Sequence, residues 1–371
     1  MSSGDSLDRR SFLTAAGSAA AAATLAGCSG DGGDGGDGTE GGDGGDGTDG
    51  DGGDGGDGGS DQTLVYARGD HPENYDPQQT TSGEVAKVTN QIFDTLIQFT
   101  AGSGGQLEDG LATDYSLDGT TATLTLREDV TFHNGEEFTA SDFKATWQRF
   151  TQSGYQYYLG DETRSGYGPF TLGNWIESVD ASQDYELTIE LTQRYAPFLR
   201  NLAMFAAAVL SEAQIEAMGD NQADLGSEPA GTGPFQFDTL DNPNERIRLT
   251  ANGDYWGDGP NVGTVIFKTI TENSTRVQDV INGASHITDN LDSSGFQRAE
   301  ESGTATLLRK DGINHGYMAM NMARFEPFRD RQVRQAIAHA INTEAIVNQI
   351  YQGFATQASQ PLPPDVLGHN D

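Results

Sequence analysis

The chain of 371 residues carries 56 acidic against 21 basic side chains, a formal net charge of -35. Such a surface would repel a phosphate backbone, which argues against nucleic acid as a partner. The one cysteine, Cys28, excludes an intramolecular disulfide and a cysteine-cluster metal site.

Residues 1–28 read as a targeting segment rather than as part of the fold. Arg9-Arg10 precede Ser11-Phe12-Leu13 and a mostly alanine stretch to Ala26. A paired arginine ahead of Phe-Leu resembles a twin-arginine export signal. The stretch is too short and too weakly apolar to span a bilayer, which takes about 20 strongly apolar residues. Leu25-Ala26-Gly27-Cys28 resembles a lipobox, in which the Cys28 thiol would carry a lipid anchor.

Residues 29–61 hold ten Asp and one Glu among Gly, Ser and Thr, with no apolar side chain. No core can form from them, so a disordered, charge-extended linker is expected, lifting the body off a membrane. A period of three without proline argues against collagen, and the missing apolar residue against a calcium-binding β-helix. Setting aside the 13 acidic and 2 basic residues of 1–61 leaves 43 and 19, a net charge of -24. Only four basic residues are lysine: Lys87, Lys144, Lys268 and Lys310. A body of this kind repels itself in dilute buffer and is relieved by salt, as expected of a halophilic protein.

From Gln62 onward strands and helices alternate. Thr63 to Arg68 reads as a strand, and Glu84 to Gln98 as a helix with Val85, Val88, Ile92 and Leu96 on one stripe. Thr121 to Arg127 alternates, with Ala122, Leu124 and Leu126 on one face. Thr139-Ala140-Ser141-Asp142 is a capping-box pattern before Phe143, Trp147 and Phe150. Tyr185, Leu187, Ile189 and Leu191 line one face of a further strand. Ser211 and Gln214 repeat the capping pattern before Ile215 and Met218. Ile247 and Leu249 mark a strand, and Val262 to Lys268 another. Asp330 can cap a helix carrying Val333, Ile337 and Ile341, and Asn342 the next, with Ile346, Val347 and Ile350. Short strands mixed with helices predict an α/β body.

No GxGxxG, P-loop or GxSxG motif is present, and carboxylates are too abundant to single out an acid-base pair. No catalytic residue, metal site or cofactor is therefore assigned, and no enzyme activity is expected. The six histidines make no HxH or HxxxH pair. Asn273-Ser274-Thr275 is a glycosylation sequon.

Asp114 to Phe150 reads DYSLDGTTATLTLREDVTFHNGEEFTASDFKATWQRF. This run resembles the signature of the family 5 extracellular solute-binding proteins, the peptide- and nickel-binding components of ABC importers. Glu84 to Leu96, Gly231-Thr232-Gly233-Pro234-Phe235, Asn252 to Pro260 and Asn321 to Ile350 resemble further family motifs, in the family's order.

The resemblance implies a two-lobed, periplasmic-binding-protein-like fold that closes on a ligand. The first lobe would span 62–308. Residues 309–371 would be the hinge and the start of a second lobe only partly present, since family members continue well past Asp371. His133 lies in the family's "FHDG" turn, where a structural role is expected.

Asn74, Tyr75, Thr80, Thr81 and Ser82 follow the first strand, where similar proteins line the cleft. Tyr157, Tyr167 and Trp175 stand in an aromatic-rich, glycine-interleaved stretch, and His315 with Tyr317 lies near the lobe crossing. These ten are the expected ligand-binding residues. The implied partners are a membrane permease, its ATPase and a peptide-like solute, on the outer face of the cell membrane. A nickel chelate or oligosaccharide ligand, an exported hydrolase and a ligand-sensing surface protein are the alternatives.

Overall fold

The computed structural model describes residues 62–103, 105–309, 312, 314, 316–363, 366, 368 and 369. Arg9, Arg10, Cys28 and the whole 29–61 segment lie outside the described residues, as does His315.

Strand β1 (Thr63–Arg68) leads through a long loop to Ser82, whose hydroxyl accepts the Glu84 N–H at 3.2 Å and caps α1 (Gly83–Ile92). Val85, Val88, Thr89 and Ile92 form its buried face. The helix expected to reach Gln98 stops at Ile92, because Gly233 N–H donates to the Ile92 carbonyl at 2.8 Å. That acceptor would otherwise serve Leu96 in a continuing helix. Leu96 is still buried, but at a bend entering β2 (Ile97–Phe99), which pairs with β3 (Leu107–Asp109).

Next come β4 (Ala112–Asp118), β5 (Thr121–Leu126), α2 (Ala140–Thr151), β6 (Ile176–Gln183) and β7 (Glu186–Leu191). The strands form an antiparallel sheet in the order β4-β5-β7-β6. Its register sets Ala122 opposite Ile189 and Leu124 opposite Leu187, all buried, as the alternation predicts. The outer positions are Thr and Glu. The expected capping box is present at α2: Thr139 N–H donates to Asp142 Oδ2 at 2.8 Å. Phe143, Trp147 and Phe150 then join the core of this sheet, whereas Ala145, on another face of α2, joins a second core.

The second core lies on a five-stranded sheet. The chain passes α3 (Phe198–Asn201) and α4 (Glu212–Met218), the latter capped by Ser211 as the sequence predicts. It then forms β8 (Phe235–Asp241), β9 (Arg246–Ala251), β10 (Thr264–Thr269), α5 (Asn273–Ile281), β11 (Ile287–Thr288) and α6 (Ser293–Ser302). The sheet order is β11-β1-β10-β9-β8, with β1 parallel to both its neighbours and the remaining pairs antiparallel. Val88, Ile92, Ile215, Leu249, Val265 and Phe267 pack together here.

Beyond 308, Asp330 caps α7 (Arg331–Ala340) and Asn342 caps α8 (Thr343–Ala345), which widens into a π-turn over Ile346–Ile350. The stripe of Val333, Ile337 and Ile341 is only half-buried, and none of the described residues from 309 onward is buried. This segment touches the body through Phe354, stacked on Phe296 of α6 with centroids 4.6 Å apart. No helix of the described residues is long and apolar enough to cross a membrane.

Candidate functional site

In α/β sheets, ligands bind outside the carboxyl ends of parallel strands. Here those ends are Arg68 of β1, Thr269 of β10 and Thr288 of β11, and the start of α1 lies beside Arg68. Lys87 Nζ sits 2.6 Å from Glu84 Oε1 and 2.7 Å from Asp289 Oδ2, bridging α1 to the residue after β11. Asn290 Nδ2 also donates to Glu84 Oε1, at 3.2 Å. The Lys87 ammonium lies 5.8 Å from the centre of the Tyr66 ring. Burial, and then the Asp289 carboxylate, holds the Tyr66 phenol protonated far above its ordinary range.

Arg68 is wholly buried and donates to the Tyr75 hydroxyl and the Glu84 carbonyl. Glu84 Oε2 and Thr288 Oγ1 are buried with no hydrogen-bond partner among the described residues. This junction thus carries partly exposed charges of both signs, which suits a polar solute. Among the described residues no group of three His, Cys, Asp or Glu is placed to hold a metal ion.

The loop from β1 to α1 brings Thr80, Thr81 and Ser82 to the start of α1. Thr81 is exposed; Thr80 Oγ1 accepts the Ser82 N–H at 2.9 Å, and Ser82 caps α1 two residues before Glu84. Asn74 and Tyr75 stand behind the loop. Asn74 donates to the Ala223 carbonyl at 2.9 Å and accepts from Asp76 N–H at 2.8 Å. Tyr75 has no exposed surface, so it offers the Arg68 contact rather than a face to solvent.

The three aromatics do not form one cluster. Tyr157 packs edge-on to Tyr155 against the five-stranded core. Tyr167 packs edge-on to Phe205, and Trp175 stacks on Tyr195 at 3.7 Å, both against the other core. Tyr317 is 82% exposed. The sequence reading missed Tyr66, Glu84, Lys87, Asp289 and Asn290. One signal was available: the Glu84/Lys87 spacing, in a chain with four lysines, marks an ion pair on a helix. Nothing local points to Asp289.

The motif residues do other work. The Asp94 carboxylate accepts from Thr232 Oγ1 at 3.1 Å, Trp256 Nε1 at 2.9 Å and Gln98 Nε2 at 3.2 Å. His133 spans the same turn: Gly231 N–H donates to its Nδ1 at 3.2 Å, so Nε2 carries the proton and donates to the Gly233 carbonyl at 2.9 Å. Burial lowers the His133 pKa and keeps it neutral. Arg127 lies 4.3 Å over the Trp256 ring. These contacts join the two cores. The Asn273 amide nitrogen of the sequon is tied to the Asn290 carbonyl at 2.9 Å.

The family model of the bacterial extracellular solute-binding proteins, family 5 (middle), matches residues 106–371. The dipeptide-binding protein of Escherichia coli K12 is 31% identical over 325 residues, 84% of this chain and 60% of that protein. Di/tripeptide-binding protein 1 of Pseudomonas aeruginosa UCBPP-PA14 is 31% identical, over 83% of this chain and 59% of that protein. A periplasmic binding protein of Helicobacter pylori, solved with the peptide STSA, superposes with a TM-score of 0.73 at 30% identity, covering 83% of this chain and 62% of that one. The chain therefore spans about 60% of the length of the relatives it matches. The expected α/β, periplasmic-binding-protein-like fold is the fold of its structural neighbours.

Proposed function

This chain belongs to the family 5 extracellular solute-binding proteins, and on that premise we propose that it captures short peptides outside the cytoplasm for an ABC importer. The observation that carries the reading is the polar junction at the ends of β1 and β11, where Ser82 caps α1 beside the Glu84–Lys87–Asp289 bridge. An extended peptide presents N–H and C=O groups along its length, and the part-exposed Lys87 and Asp289 side chains offer it a donor and an acceptor. The names of the relatives, a dipeptide-binding and a di/tripeptide-binding protein, support the same class of ligand. Asn74 and Tyr75 back the binding loop. Tyr157, Tyr167, Trp175, His315 and Tyr317 contribute only if closure of the lobes carries them to the ligand.

In this reading the protein acts by binding and delivery to a permease and its ATPase, not by turnover. Arg9-Arg10 direct export and Cys28 carries the lipid. Residues 29–61 hold the body off the outer face of the membrane, and the lobes divide near 308. The acidic, lysine-poor surface is an adaptation to high salt.

Titration calorimetry of the purified protein in ~2 M KCl tests the reading. Heat and a saturable isotherm with di- to tetrapeptides are expected. Binding of a nickel chelate or an oligosaccharide with no response to any peptide overturns it.

A further inference from the structure

We propose that Arg149 is a positioning residue for the binding loop: it fixes the Asp76–Gln79 segment and thereby sets Thr80, Thr81 and Ser82 at the start of α1, beside the Lys87–Asp289 pair. This rests on the peptide-binding reading above. Arg149 is in the last turn of α2 and has no exposed surface. Its guanidinium donates to Asp76 Oδ2 at 2.7 Å, Gln78 Oε1 at 2.6 Å, Gln222 Oε1 at 2.7 Å and the Gln222 carbonyl at 2.7 Å. One planar fork therefore sets four acceptors from two segments remote in sequence, which a lysine ammonium cannot reproduce.

The segment it holds has no helix or strand of its own. Asp76 Oδ1 turns back to the Gln78 N–H at 2.8 Å, and Gln78 Nε2 donates to the Thr146 carbonyl at 2.9 Å. Two residues on, the Thr80 hydroxyl accepts the Ser82 N–H, and the Ser82 hydroxyl the Glu84 N–H. Glu84 then meets Lys87 and, through it, Asp289. An unbroken path of hydrogen bonds and short chain links thus runs from a buried arginine to the Lys87–Asp289 pair. A buried ion pair is weak support for stability, since apolar groups can fill the same volume as well; its geometry specifies one loop conformation. A site whose support is loosened by about an ångström loses affinity even when the fold survives.

The test compares Arg149→Lys with Val179→Ala, a core variant in the four-stranded sheet, at matched loss of melting temperature. Amide hydrogen exchange and tripeptide affinity are read on both, in the whole protein. In Arg149→Lys, exchange over 78–84 should rise ~tenfold or more with β5 and β7 unchanged, and affinity should fall ~tenfold. In Val179→Ala, affinity should stay within ~twofold. Equal affinity losses in the two variants overturn the proposal, as does exchange that is unchanged over 78–84 or raised throughout. If Arg149→Lys does not fold, Gln78→Met removes one acceptor and should give the same split on a smaller scale. A wild-type protein that binds no peptide overturns the functional reading, while the exchange pattern still decides whether Arg149 holds the loop.

Discussion

The indole N–H of Trp256 donates to the Asp94 carboxylate across 2.9 Å, joining the Asn252–Pro260 stretch to the end of α1. The Thr232 hydroxyl meets the same carboxylate oxygen at 3.1 Å. Trp256→Phe keeps most of the ring but deletes the donor, leaving a buried carboxylate short of a partner. A loss of about 1–3 kcal/mol is expected from urea unfolding. A loss below ~0.3 kcal/mol would show that Asp94 is held well enough by its other donors.

The turn that closes this joint admits no side chain at two places. A Cβ on Gly231 would stand 2.1 Å from the Ile92 carbonyl oxygen, and one on Gly233 2.6 Å from the Gln91 carbonyl oxygen. Both obstacles are backbone. Alanine at either position should cost more than about 3 kcal/mol, or prevent soluble expression. Gly253, where an added Cβ would meet nothing within 4 Å, is the control and should accept alanine within about 0.5 kcal/mol.

Asp142 ties two helix starts together, accepting from Thr139 N–H and Glu212 N–H, each at 2.8 Å. Burial raises its pKa from 3.8 to about 6, against the pull of those donors. The folded state therefore holds this proton more tightly than the unfolded chain does. Its contribution is greatest below pH 3.8 and is lost as pH rises through about 6. The full swing is at most about 3 kcal/mol. Asp142→Asn cannot titrate, so its deficit against wild type should be larger at pH ~4.5 than at pH ~7. Urea midpoints at the two pH values give the comparison; an equal deficit contradicts the assignment.

Salt should act on the body as a whole. With a net charge of -24 after residue 61, self-repulsion falls as the screening length shortens from about 10 Å in 0.1 M salt to about 3 Å at 1 M. The melting temperature by scanning calorimetry should climb steadily from ~0.1 to ~2 M KCl. A flat profile would remove the salt-adaptation reading.

Local chemistry was legible before any tertiary contact was known. The caps at Thr139, Ser211, Asp330 and Asn342 are each read from a few neighbouring residues, and each starts a helix. The alternation in β5 and β7 likewise identifies its buried face, because a strand half-buried on one side repeats every second residue. The loop holding Thr80, Thr81 and Ser82 was legible only through the family resemblance.

The end of α1, the partner of Lys87 and the setting of Arg149 were not legible. Gly233 stops the helix at Ile92 from 141 residues away in sequence, and Asp289 reaches Lys87 from 202 residues away. Neither carries a local signature, because their positions depend on the sheet order β11-β1-β10-β9-β8. By itself, then, the sequence determined where elements begin, which faces are apolar and which family they resemble. Hydrogen bonds within a turn and the period of burial both act over a few residues. Only the tertiary structure decided which charges meet, since the part-exposed ion pair between α1 and the end of β11 exists only once those strands have taken their register.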